Sequence, residues 1–300
     1  MEKVPYWKCA AEMRSKECTN LPLEFMKIME GKIYDPRKQL LVAGNCVLEN
    51  RAVAFQTAEF LKSLATKLDV DLVFKASYKK DNRSSEKYFS GLPLPEALRI
   101  FEDVKRQFHL PVLSDVHYPN ELDEGVAEVV DILQIPAYLA MQTELVVKAA
   151  KTGKAINLKK AQFLAPEGME NVCRKVESTG NRSIFLTERG SCFGYRDLVV
   201  DLRSFHVLKS IGYPVLFDAG HSIRRYGIPS ADPSGGTKHF LPTLMSAAAA
   251  ADIAGLFVEV HPDPQNALCD AASQLSFDEA ARLIPRYFKI AEFVKELGKE

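Results

Sequence analysis

The chain has 300 residues, 47% hydrophobic and 26% charged, a balance that supports a large packed core and excludes a disordered or collagen-like chain. Its 39 basic residues match 39 acidic ones, which argues against a general affinity for nucleic acid or for an anionic membrane surface. Any anion must therefore be held by cations gathered locally. No stretch reaches the roughly 18 uncharged apolar residues of a membrane span, and the opening MEKVPYWKCAAEMRSKE lacks the apolar region of a signal peptide. Cys9, Cys18, Cys46, Cys173, Cys192 and Cys269 are scattered without CxxC spacing and read as reduced thiols, so a cytoplasmic location is expected.

Residues 1–39 stand outside the pattern that follows. Within and just after them, IMEGKIYDPRKQLLV (28–42) reads as a short hairpin with Gly31 and Asp35-Pro36 as turn signals. Strand-length apolar runs then recur: LLVAGNCV (40–47), LVFKAS (72–77), PVLSDVH (111–117), ILQIPA (132–137), AINLKK (155–160), SIFLTER (183–189), PVLFDAGH (214–221) and GLFVEVH (255–261). Segments with apolar spacings of three and four lie between them, such as 54–68, 96–108, 144–153 and 197–210. Eight strands alternating with helices predict an α/β fold, a (β/α)₈ TIM barrel, over residues 40–300. The helix FDEAARLIPRYFKIAEFVKEL (277–297) closes the ring, and the N-terminal hairpin extension covers the N-terminal mouth of this single domain. The Gly-, Pro- and Ser-rich loop 223–239 follows the seventh strand and is expected over the opposite mouth.

Side chains alternate faces along a strand. Lys75 therefore shares a face with Ser77, Asp115 with His117, Asn157 with Lys159, Thr187 with Arg189, and Glu259 with His261; Cys46, Gln134 and His221 stand alone near their strand ends. Each strand is apolar early and polar or reactive late. A barrel interior has no use for such groups unless they meet at a site, since unpartnered buried polar groups are costly. Barrel chemistry resides at the C-terminal mouth. His109, His206 and His239 lie outside this pattern and read as ordinary structural histidines.

The cations Lys75, Lys80, Arg83, Lys159, Lys160 and Arg189 fall at strand ends or just beyond, as phosphate or carboxylate binding requires. NRSS (82–85) adds an amide, a guanidinium and two hydroxyls, suited to a phosphate and sugar hydroxyls, although such a run is also an ordinary loop. Strands seven, eight and one are neighbours in a closed barrel. Cys46, His221, Glu259 and Asp270 can therefore meet as ligands of a divalent transition ion, with a small buried core residue as the other reading of Cys46.

At this point the chain resembles the 3-deoxy-D-manno-octulosonate 8-phosphate synthase family. The resemblance rests on FKASYKKDNRSS (74–85), SDVHYP (114–119), LQIPAYLA (133–140), INLKKAQF (156–163), RGSCFGY (189–195), FDAGHS (217–222), SGG (234–236) and GLFVEVHPDPQNALCD (255–270), in order along nearly the whole barrel. It implies condensation of phosphoenolpyruvate with D-arabinose 5-phosphate. Lys159, Arg189, Gln162 and Lys80, with the backbone at Ala137, would hold phosphoenolpyruvate. Asn82, Arg83 and Ser84 would hold the pentose phosphate, and Gln134 is a further substrate-binding candidate. Lys75, Lys80, Asp115, His117, His221 and Asp270 are the catalytic candidates. Cys46 in AGNCVLE, where metal-free members have Asn, resembles the metal-requiring class and implies a zinc, iron or manganese site at Cys46, His221, Glu259 and Asp270. The family also implies a homotetramer.

Some positions depart from the family's pattern. Met141 stands where Arg is usual, Ala161 for Pro, Gly220 for Thr, Arg224 for Gln and Ala271 for Gly, while the pair Cys269–Asp270 looks like that of metal-free members. Either Arg224 or Arg225 replaces the missing Arg, or the aldose phosphate has changed. The competing readings are a synthase using another aldose phosphate and a catalytically silent phosphosugar-binding protein. NRSS argues against the related heptulosonate synthases, and the retained Lys159, Arg189, His221 and Glu259 argue against silence.

Overall fold

A computed structural model describes residues 25–81, 86–192, 197–229 and 232–298. The Asn82, Arg83 and Ser84 expectations lie outside the described residues. A two-stranded antiparallel hairpin, β1 (Met26–Met29) and β2 (Lys32–Tyr34), precedes eight parallel strands. These are β3 (Leu40–Gly44), β4 (Asp71–Lys75), β5 (Val112–Asp115), β6 (Ile132–Ile135), β7 (Ala155–Lys159), β8 (Ile184–Glu188), β9 (Val215–Asp218) and β10 (Gly255–Glu259). They close in sequence order, β10 pairing with β3 through Gly255–Leu40 to Glu259–Gly44. The expected (β/α)₈ barrel with its hairpin is borne out.

Alternation sorts the strand residues into two apolar layers. Val42, Val73, Leu113, Ile132, Ala155, Phe185, Leu216 and Phe257 fill the inside of the barrel. Leu41, Phe74, Val112, Leu133, Ile156, Leu186, Phe217 and Val258 face outward into the layer shared with the helices. The hairpin plugs the N-terminal mouth: Met26, Ile28 and Tyr34 join the inner cluster, and the Tyr34 ring meets Phe185 edge-on at 5.3 Å.

The surrounding helices begin where the chain supplies caps. In α1 (Arg51–Leu68) the Asn50 side chain accepts from the Val53 N–H at 2.9 Å. In the long closing helix Phe277–Leu297, Ser276 and Glu279 form a reciprocal capping box. Its buried residues Ala280, Leu283, Ile284, Tyr287, Phe288 and Ala291 repeat at threes and fours, as the sequence required.

Two expectations about extent need correction. Pairing stops earlier than the apolar runs do, so Cys46, Ser77, His117, Arg189, His221 and His261 lie beyond the last strand residue, and His221 sits in a helical turn (Ala219–Ser222). Of the helix expected at 197–210, only Arg203–Ser210 is helical. Residues ahead of it are extended instead, Val199 bridging Ser191 and Asp197 bridging Arg225. The β8 loop thus gains a strut that local periodicity did not reveal.

Candidate active site and metal centre

Above the apolar inner layer every barrel strand except β3 carries a polar inward residue: Lys75, Asp115, Gln134, Asn157 and Lys159, Thr187, Asp218 and Glu259. β3 ends in Gly44, where a Cβ would lie 2.1 Å from the Lys75 carbonyl oxygen, so only glycine lets β3 and β4 approach this closely. The polar residues form two connected systems.

The first runs across β8, β7, β6 and β5. Thr187 Oγ1 donates to Asn157 Oδ1 at 2.7 Å, Asn157 Nδ2 to Gln134 Oε1 at 2.8 Å, and Gln134 Nε2 to Asp115 Oδ1. Ser77 Oγ donates to the other Asp115 oxygen at 3.0 Å, with Lys80 Nζ 3.5 Å away. Both ends of the Gln134 amide are engaged, so its place is that of a strut beneath Asp115. Burial opposes ionisation of Asp115, but Lys80 and Lys75 outweigh it and hold the carboxyl below the usual carboxylate range. His117 lies just past Asp115, and burial lowers its pKa, favouring the neutral imidazole.

The second system gathers the remaining charges. Lys75 pairs with Glu259 Oε1, and Lys80 lies 3.9 Å from the same oxygen. Burial would raise the Glu259 carboxyl, but Lys75, His221 and Lys80 bring it down to about 2. Across the barrel Lys159 pairs with Asp218 and its Nζ stands 3.3 Å from the centre of the Phe257 ring. Asp218 also accepts from the His221 N–H at 3.0 Å, and its second oxygen lies 2.8 Å from His221 Nδ1. That contact turns His221 Nε2 toward Asp270 Oδ2, 4.0 Å away.

Arg189 Nη1 donates to the Tyr226 hydroxyl at 3.1 Å, and Tyr226 meets Tyr138 at 3.3 Å. The loop after β9 therefore does reach over the C-terminal mouth. Gln162 is buried there with an unpartnered Oε1, and Ala137 opens a 3₁₀ turn at the end of β6. Lys160, counted among the rim cations, faces the other way: it contacts Glu188 at 3.6 Å and donates to Ser191 Oγ at 2.7 Å behind the strand. Parity accounts for this, since Lys160 alternates with Lys159.

Metal-liganding atoms meet in two overlapping trios. Those of His221, Glu259 and Asp270 lie within 4.8 Å of one another, as do those of Cys46, Cys269 and Asp270. A divalent ion fits this donor set. Glu259 Oε2 is buried without a hydrogen-bond partner, and burial raises the Cys46 thiol well above its usual range; a divalent ion would engage the first and favour the thiolate of the second. Asp218 and Gln274 escaped the reading of the sequence, and Cys269 entered it only as the neighbour of Asp270. Asp218 had a usable signal, being in step with inward Leu216 at the end of an apolar strand; the placing of the other two had none.

A family model described as the DAHP synthetase I family matches residues 16–296. The chain belongs to the DAHP synthetase I family. Among curated proteins, it is 46% identical over 265 residues to the 2-dehydro-3-deoxyphosphooctonate aldolase of Geobacter sp. (strain M21), covering 88% of this chain and 96% of that protein. It is 48% identical over 261 residues to the protein of that name from Trichlorobacter lovleyi (87% and 95% covered). The Dichelobacter nodosus counterpart is 44% identical over 277 residues (92% and 99% covered). The resemblance drawn from the sequence blocks is thus borne out.

Two of the departures from the family's pattern, Gly220 and Arg224, lie against the loop after β10 that carries Asp270. Gly220 packs so closely that a Cβ would lie 2.9 Å from the Ser273 carbonyl oxygen, and one on Gly236 would lie 2.4 Å from that of Ala272. The turn after β9 and the loop after β10 therefore meet backbone to backbone beside Asp270. Arg224 Nη1 lies 3.9 Å from Asp270 Oδ1, and Arg225 Nε 3.3 Å from Asp197 Oδ1. Each arginine is directed at a carboxylate, whereas Met141 is exposed.

Proposed function

We propose that this chain condenses phosphoenolpyruvate with D-arabinose 5-phosphate and water to give 3-deoxy-D-manno-octulosonate 8-phosphate and inorganic phosphate. It would thereby serve as a carbon–carbon bond-forming transferase of lipopolysaccharide precursor synthesis. The observation that carries this reading is the convergence of Lys75, Lys80, Lys159 and Arg189 with His221, Glu259 and Asp270 on one rim, in a chain whose relatives are named 2-dehydro-3-deoxyphosphooctonate aldolase.

Lys159, Arg189, Lys80 and Gln162, with the backbone at Ala137, bind phosphoenolpyruvate; Asn82, Arg83 and Ser84 bind the pentose phosphate. In the reaction C3 of phosphoenolpyruvate attacks the aldehyde carbon, and positive charge develops at C2. Water adds at C2, then the C2–O bond to phosphate breaks and C2 becomes a ketone. One proton of the water ends on the former aldehyde oxygen and the other on the departing phosphate. The ammonium and guanidinium groups stabilise the phosphate as it leaves, and Asp115, fixed by Ser77, Gln134 and Lys80, faces the developing positive charge. Fixed placement of both substrates on one rigid barrel supplies proximity.

Cys46, His221, Glu259 and Asp270 hold a divalent ion in this reading, and zinc, iron(II) and manganese all suit the donor types. Such an ion supplies Lewis acidity toward the aldehyde or a bound water. The reading includes a cytoplasmic homotetramer. Cys46, Cys173, Cys192 and Cys269 are free, no described helix is long and apolar enough to cross a membrane, and Tyr138, Met141 and Phe163 are exposed around the β6 and β7 loops.

The test is phosphate release from phosphoenolpyruvate. It is expected only with arabinose 5-phosphate present, alongside an eight-carbon keto-acid phosphate seen by mass spectrometry. Release with a different aldose phosphate would transfer the reading to that substrate; none with any would end it. Chelation should abolish turnover and metal should restore it, with Cys46→Ala inactive. Full activity in chelator would remove the metal from the reading.

A further inference from the structure

Cys269 is a neighbour of Cys46 in space, though 223 positions separate them in the chain. Both thiols are turned to the same carboxylate oxygen. Cys46 Sγ lies 3.2 Å from Asp270 Oδ2 and Cys269 Sγ 3.6 Å from it. The trio that contains Cys46 is completed by Cys269; His221 and Glu259 share the other trio. Asp270 is common to both.

Three features fix this arrangement. The fully buried Gln274 side chain clamps the two segments: its Oε1 accepts from the Cys46 N–H at 3.1 Å, and its Nε2 donates to the Cys269 carbonyl at 2.8 Å. A satisfied buried amide of this kind defines one geometry and resists its loss. Asp270 adopts φ +46°, a left-handed conformation that aspartate tolerates and that helps set the direction of its side chain. Cations surround the cluster: Lys75 on Glu259, Lys80 at 3.9 Å from Glu259, and Arg224 at 3.9 Å from Asp270. That much positive charge tolerates a second thiolate beside the carboxylates.

We infer that Cys269 is a second sulfur ligand, which makes the metal centre a bis-thiolate site selective for thiophilic divalent ions over manganese. The inference rests on the metal reading proposed above. Two thiolates present soft donors, which favour zinc, cobalt(II) and cadmium, whereas manganese prefers carboxylate and water oxygens. A His221–Glu259–Asp270 set with Cys46 as its one thiolate would carry a weaker preference.

The experiment loads the reduced, metal-stripped protein with cobalt(II) and reads the sulfur-to-cobalt charge-transfer absorption in the near ultraviolet. Its intensity counts thiolate ligands. Wild type is expected to show about twice the intensity of Cys269→Ser and of Cys46→Ser, and the double variant none. Gln274 grips the Cys269 carbonyl, so serine at 269 leaves the clamp intact; an unchanged thermal midpoint of the metal-stripped variant checks this. Chelator competition should show Cys269→Ser losing about tenfold or more in zinc affinity with manganese affinity nearly unchanged. A charge-transfer band in wild type that Cys269→Ser leaves undiminished would overturn the second-ligand assignment. Absence of any such band in wild type would instead overturn the thiolate metal centre itself, and this inference with it.

Discussion

Asp218 joins the two halves of the site. One carboxylate pairs with Lys159, caps the turn carrying His221 and contacts the His221 ring. It touches Lys159, the proposed phosphate-binding cation, and the imidazole of His221, a proposed metal ligand, together. Asp218→Asn keeps the shape and removes the charge. It should raise KM for phosphoenolpyruvate and weaken divalent-ion binding, each by about tenfold or more; steady-state kinetics and chelator competition would measure the two effects. A loss of stability without either shift would reduce Asp218 to a helix cap. Lys159 gives a second prediction. Burial pulls its ammonium down to about 8, with Asp218 acting in the opposite direction. An uncharged amine holds phosphate poorly, so kcat/KM for phosphoenolpyruvate should fall as pH rises through about 8. Lys159→Arg, which stays charged, should move that limb to higher pH; an unmoved limb would assign it elsewhere.

Among the elements, the hairpin β1–β2 has the plainest energetic role. It seals the end of the barrel opposite the site, with Tyr34 driven fully under the inner layer against Phe185. Removing that ring leaves a cavity the closed barrel cannot collapse around. Tyr34→Ala should therefore cost about 3–5 kcal/mol in chemical denaturation. The Tyr34 hydroxyl is buried without a partner, so Tyr34→Phe should leave stability unchanged or raise it. Equal losses in both variants would contradict the packing account. At the other mouth the elements meet through backbone: Gly220 and Gly236 admit the carbonyls of Ser273 and Ala272, and this close approach fixes the loop that carries Asp270.

For the molecule as a whole, a net charge of zero conceals a strongly segregated interior. Asp115, Asp218 and Glu259 are buried and held below the ordinary carboxylate range, each by facing cations that outweigh the effect of burial. A depressed carboxyl contributes stability above its unfolded-state pKa and loses it as pH falls toward the folded value. Glu259, moved from 4.5 to about 2, contributes fully above the first value and loses its contribution across that interval. The thermal midpoint should thus drop steeply between those two pH values. Glu259→Gln should make the drop shallower, and an unchanged slope would show that Glu259 does not contribute to it.

The order of strands and helices, the closure of the barrel and the gathering of cations at one mouth were legible in the chain itself. Alternation is a local rule: once Leu216 or Val73 faces inward, Asp218 and Lys75 must follow, and Lys160 must turn away from Lys159. Beyond the last paired residue of each strand that rule ends. There the orientation of Cys46, His221 and Asp270 depends on partners far along the sequence: Asp218 against His221, Gln274 bridging Cys46 and Cys269, and glycines that admit a neighbouring carbonyl. The tertiary structure alone decided that two distant thiols face one carboxylate, because the contacts that aim them form only after the barrel has closed.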